Sequence, residues 1–94
     1  MKYRIDYSNK FKKQYKKIKK QGKDLNKLFN IVELLANGIN LDTKYKDHAL
    51  KDDKFYKNCR ECHIEPDWLL VYQIIDDNLI LLLFATGSHS DLFN

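Results

Sequence analysis

A chain of 94 residues makes one small domain, able to bury roughly 60–65% of its unfolded surface and to hold a single core without staples. Hydrophobic residues at 44% and aromatics at 13% exclude a disordered chain. With no apolar leader at the N-terminus, and a longest apolar stretch, Leu79 to Ala85, far below the ~20 residues that cross a bilayer, the chain reads as soluble, cytoplasmic and free of membrane contact. The net charge of +4 hides a division: residues 1–23 hold ten Lys or Arg against the single acid Asp6, and the rest hold seven against twelve. Such a basic end suits a polyanion or an acidic protein partner, or else is a solvated helix face.

In chain order, Lys2 to Tyr7 alternates, with Tyr3, Ile5 and Tyr7 on one side, and reads as a first strand. Ser8 offers an N-cap oxygen, and from Asn9 to Lys20 the residues Phe11, Tyr15 and Ile18 recur at helical spacing among lysines. Gly22 ends this helix. A second runs from about Asp24 to Asn37, where Leu25, Leu28, Phe29, Val32, Leu35 and Ala36 form a wide apolar stripe and Gly38 supplies a left-handed exit. The two helices form a hairpin. Residues 39–54 lack a clear period and read as a polar loop. Three strands follow, Tyr56 to Ile64, Trp68 to Ile75 and Leu79 to Ala85, joined by breaks short enough to be hairpins. The order is β-α-α-β-β-β in an α+β domain. Its last strand, apolar on both faces, is expected at the centre of the sheet, with the helical hairpin packed on one face.

The segment "CRECHIEPDW", Cys59 to Trp68, concentrates two thiols, an arginine, three carboxylates and an imidazole. Side chains alternate along a strand, so Arg60, Cys62 and Ile64 share one face and Cys59, Glu61 and His63 the other. If Cys62 and Ile64 mark the helix-covered core, Glu61 and His63 point to an open face. Asp67 lies just past the Pro66 turn, His48 in the polar loop and His89 directly after the last strand. Zinc on Cys59 and Cys62 is disfavoured, because residues three apart on a strand face opposite sides, and a disulfide is disfavoured by the same geometry and by a reducing compartment. Neither the G-x-S-x-G nor the G-x-G-x-x-G motif is present. What remains beside the reading of each histidine as an ordinary surface residue is acid–base chemistry. Histidine exchanges a proton near neutrality and carboxylates orient it, a combination suited to RNA cleavage in which the 2′-hydroxyl is the nucleophile and neither metal nor cofactor is needed.

The motifs "KYKDHAL", "CRECHIEPDWLLVYQI" and "TGSHSDLF", in that order after a basic helical hairpin, strongly resemble the YafQ branch of the RelE/ParE toxin superfamily. The resemblance covers nearly the whole chain, its specific motifs lying in the C-terminal half. It implies a RelE-like single domain over residues 1–94, with the hairpin on one face of a mostly antiparallel four-stranded sheet. It implies a type II toxin that enters the ribosomal A site and cuts mRNA, with a preference for adenine-rich codons. It also implies a cognate DinJ-like antitoxin of the ribbon-helix-helix type, held in a hetero-oligomer. By motif, His48, His63, Asp67 and His89 match the catalytic set, and Phe93 matches a C-terminal aromatic that stacks on or braces a base. Glu61 stands where the family often has aspartate. Lys12, Lys13, Lys16 and Lys17 are placed to grip RNA phosphates. Which group acts as base and which as acid stays open at this level. Two further readings stay open as well: a ParE-like toxin that binds DNA gyrase without nuclease chemistry, and a decayed module that only binds RNA or antitoxin.

Overall fold

A computed structural model describes residues 1–51 and 53–93; Asp52, inside the segment read as a loop, and Asn94 lie outside the described residues. The elements are β1 (Arg4–Tyr7), α1 (Asn9–Lys20), α2 (Leu25–Ala36), β2 (His48–Ala49), β3 (Arg60–Glu65), β4 (Trp68–Ile75), β5 (Ile80–Gly87) and α3 (His89–Phe93). Short 3-10 turns lie at Thr43–Tyr45 and Asp76–Asn78.

Both long helices form where local chemistry places them. The Ser8 hydroxyl accepts from the Phe11 amide at 2.9 Å and donates to the Phe84 carbonyl at 2.6 Å, so the cap of α1 also ties the helix to β5. Lys17, Lys19 and Lys20 occupy the last turn of α1, where a helix end favours cations. The Asp24 carboxylate accepts from the Asn26 amide and starts α2. Gly38 leaves α2 at φ +74°, the left-handed exit expected of it.

The strands are ordered β1-β5-β4-β3-β2, with β1 parallel to β5 and every other pair antiparallel. The helical hairpin lies against one sheet face, as expected, but the sheet has five strands rather than four. The additional strand, β2, pairs His48 with Glu61 and Ala49 with Arg60. Two residues are too few to show an alternating pattern, so pairing of this kind leaves no trace in the sequence. Consequently β4 occupies the middle of the sheet, and β5, though interior, sits beside it. β3 begins at Arg60 rather than Tyr56. The Asp53 carboxylate accepts from the Phe55 and Tyr56 amides at 2.8 and 3.0 Å, and Asn58 takes φ +60°, folding this approach into a turn.

The core lies on both sides of the sheet. Under the helices, Phe11, Ile18, Leu28 and Ile31 pack on Cys62, Leu70, Tyr72 and Leu83. Trp68, fully buried there, donates its indole N–H to the Thr86 hydroxyl at 3.0 Å, so the lone tryptophan is a core residue. On the opposite face, Leu69, Val71 and Ala85 are covered by Tyr56, Cys59 and Leu92, with Leu50 and Phe93 at the margin. The face expected to be open is therefore closed over much of its area. β4 is apolar on both sides, and leaving Leu69 and Val71 in water would forfeit roughly 1.5–3 kcal/mol each.

Candidate active site

The two sheet faces separate the thiols. Cys62 belongs to the helix-side core and Cys59 to the opposite cluster, and both are free. Burial pushes both thiols up from their ordinary range, so they are inert hydrophobes rather than nucleophiles.

The register sets out the other candidates in rows across the sheet. His48, Glu61, Val71 and Ala85 form one row across β2, β3, β4 and β5. His63, Leu69 and Gly87 form the next. Adjacent strands lie about 4.8 Å apart, so the His63 and Gly87 backbones stand about 10 Å from each other, with His89 two positions beyond Gly87. Glu61 is 6% exposed, a carboxylate sunk into the sheet. Its Oε1 lies 3.4 Å from His63 Nε2, while His63 Nδ1 faces the Pro66 carbonyl at 3.2 Å. Both ring nitrogens of His63 thus face acceptors. On the edge strand, exposed His48 sets Nδ1 against the Lys46 carbonyl at 2.7 Å.

His89 opens α3, a helix that the reading in strands and loops did not contain. Its cap is reciprocal: the Asp91 amide donates to the Ser88 hydroxyl and the Ser88 amide to the Asp91 carboxylate, each at 3.1 Å. The "SHSD" spacing of Ser88 to Asp91 is the sequence signal for this capping box. Gly87, at φ +153°, lets the chain turn off β5, and a Cβ there would stand 3.0 Å from Asp91 Oδ2. Hydrogen bonds from Ser88 first, and then from Lys17, hold the Asp91 carboxyl below its usual range. The Asp67 carboxylate accepts from the His89 backbone N–H at 3.0 Å, linking the β3–β4 turn to the start of α3. The His89 ring lies 5.0 Å from the Phe93 ring, and Phe93 lies 5.4 Å from Tyr56. Phe93 therefore both braces His89 and closes the second core cluster.

The lysines divide between two places. Lys17 reaches Asp91 at 3.1 Å, beside the site. Lys12 and Lys16 flank a groove floored by Phe11, Phe29 and Val32 between α1 and α2, and Lys13 is exposed. Sequence reasoning missed Tyr56 and Lys10. Tyr56 is fully buried, donates its O–H to the Leu92 carbonyl at 2.9 Å, and receives Lys10 Nζ at 2.8 Å. The seven-residue spacing of Lys10 and Lys17 was the one available hint that they share a helix face. Among the described residues, no group of three or more His, Cys, Asp or Glu is arranged to hold a metal ion.

Fold and site together define a small α+β protein that sets histidines and carboxylates beside a basic helix. The profile of the family described as "Bacterial toxin of type II toxin-antitoxin system, YafQ" matches residues 3–94. The "mRNA interferase toxin YafQ" of Escherichia coli K12 is 40% identical over 90 residues, which span 95% of this chain and 94% of that protein. YafQ in the E. coli DinJ–YafQ complex superposes with a TM-score of 0.87 at 40% identity, covering 98% of this chain and 99% of its own. A metal-bound toxin from Helicobacter pylori gives 0.90 at 47% identity, covering 99% and 100%. The chain belongs to the YafQ family of type II toxin–antitoxin toxins.

Proposed function

We propose that this protein is the toxin of a type II toxin–antitoxin pair and acts as a ribosome-dependent mRNA endoribonuclease. The observation that carries the chemistry is the Asp67–His89 hydrogen bond, which holds a carboxylate and an imidazole-bearing residue together at the end of β5. Among the described residues Asp67 has one oxygen engaged, by that N–H, whereas His63 has acceptors facing both ring nitrogens. This favours Asp67 as the base. It takes the 2′-OH proton, the 2′-oxygen attacks the adjacent phosphorus, and the P–O5′ bond breaks. His89 delivers a proton to the departing 5′-oxygen. The products are a 2′,3′-cyclic phosphate and a 5′-hydroxyl. His63, held by Glu61, and His48 stabilise the phosphorane charge, an electrostatic contribution of a few kcal/mol for a well-placed donor. Phe93 supports the His89 ring and offers an edge to a base. Exposed Lys12, Lys13 and Lys16, with Lys17 shared by Asp91, supply salt-sensitive affinity for ribosomal RNA.

A DinJ-like antitoxin is the partner that the E. coli complex supports for this chain. Expression of the toxin alone is expected to stop growth by blocking translation, with primer extension finding mRNA ends inside reading frames, chiefly at adenine-containing codons. Co-expression of the antitoxin restores growth. DNA damage with mRNA left intact would replace this reading with gyrase inhibition.

Because the nucleophile is the RNA's own hydroxyl, EDTA added to the purified protein, at ribosome-preserving magnesium, is expected to leave single-turnover cleavage within about twofold, far short of the 10²–10⁴-fold contribution of a proton-transfer group. The metal-bound H. pylori relative makes the comparison pointed. Activity lost on chelation and recovered with a transition metal would reverse the assignment.

A further inference from the structure

His48 stands on a strand of two residues at the sheet edge, where the backbone ladder alone holds it weakly. The preceding side chain is anchored far more firmly. Asp47 Oδ1 accepts the Tyr72 O–H at 2.5 Å and Arg60 Nε at 3.4 Å, and its Oδ2 accepts Arg60 Nη2 at 3.3 Å. Arg60 and Tyr72 are themselves register partners on β3 and β4, so one carboxylate spans two strands. Tyr72 is 1% exposed; burial first, and then Asp47, push its phenol up, and it remains an O–H donor. One residue before Asp47, Lys46 adopts φ +51° at the end of the 3-10 turn, and its carbonyl meets His48 Nδ1 at 2.7 Å. A carbonyl only accepts, so Nδ1 carries a hydrogen whether the ring is neutral or protonated, and Nε2 is the nitrogen turned to substrate, donating to a phosphoryl oxygen when the ring is protonated.

We propose that Asp47 is a positioning residue for His48: clamped by Tyr72 and Arg60 on the helix-covered face, it fixes the Lys46–His48 backbone so that the imidazole presents Nε2 on the opposite face, in the row of Glu61. Alternation along an extended chain puts neighbouring side chains on opposite faces, so the clamp acts without touching substrate. The inference rests on the reading of His48 as part of the nuclease site. Loss of the clamp releases a short edge segment, and a misplacement of the order of 1 Å is enough to lower a rate substantially.

The test measures single-turnover mRNA cleavage on ribosomes for Asp47→Ala, Asp47→Asn and Tyr72→Phe, each alone and combined with His48→Ala. Ring ¹⁵N shifts of His48 are recorded alongside. Asp47→Ala is expected to slow cleavage by about 10-fold at unchanged ribosome affinity, Asp47→Asn to recover part of the rate through its amide oxygen, and Tyr72→Phe to fall between. In the His48→Ala background all three become silent, and in the single variants the His48 ring loses its uniform Nδ1–H form. An undiminished loss in the His48→Ala background, or a folded Tyr72→Phe with wild-type rate and ring shifts, overturns the proposal. If His48→Ala itself cleaves normally, the site assignment of His48 fails, and the ring shifts still decide whether Asp47 fixes its orientation.

Discussion

His89→Ala is expected to lower single-turnover cleavage of ribosome-bound mRNA by at least about 10²-fold, the lower end of what a positioned proton-transfer group contributes, and to abolish toxicity. The substitution is clean because of how the residue is held. Asp67 binds the backbone N–H of His89, which alanine keeps, so the carboxylate and the start of α3 stay in place. The imidazole itself is exposed and touches Phe93 from outside the core, so its removal changes stability little. Ribosome affinity is expected to be unchanged, since in the proposed function it rests on the lysines of α1 and not on this ring. The measurements are cleavage under single-turnover conditions, ribosome binding by sedimentation, and thermal melting. Near-normal cleavage would remove His89 from the mechanism. So would a loss of cleavage that merely follows unfolding.

Tyr56→Ala is expected to cost about 3–5 kcal/mol of stability, the range for deleting a buried aromatic side chain. At about 4–8 °C of melting temperature per kcal/mol for a domain of this size, the midpoint falls by roughly 12 °C or more. The ring is fully buried between Phe84 and Phe93, and its hydroxyl joins Lys10 on α1 to the Leu92 carbonyl of α3. Removing it takes away the floor under Phe93 and the tie between α1 and α3. Tyr56→Phe keeps the ring and loses only the polar links, so it is expected to cost about 1–3 kcal/mol, the penalty of an unsatisfied carbonyl. Melting of Tyr56→Ala within a degree or two of wild type would mean that α3 is held by other contacts.

α1 and α2 were legible almost to the residue. Their caps at Ser8 and Asp24, their apolar stripes and the Gly38 exit depend on neighbours within a few positions of chain. The faces of β3 were legible for a similar reason, since alternation separates Cys62 and Ile64 from Glu61 and His63 whatever the strand is packed against. The chain's sequence by itself thus determined the helical hairpin, the three long strands, the basic α1 and the residues able to exchange protons. Only the tertiary structure decided how those residues meet. β2 exists because Glu61 and Arg60 offer an edge to His48 and Ala49, which lie more than ten positions away in the chain. The second sheet face closes because Tyr56 and Leu92, far apart in sequence, both find Leu69, Val71 and Ala85 across it. Asp67 reaches His89 across a separation of 22 residues, and Asp47 reaches Tyr72 across 25. Local propensity is read over a single turn or pleat, whereas these contacts are selected by the apolar area and hydrogen bonds gained once the whole sheet has formed, and no short window of sequence carries that information.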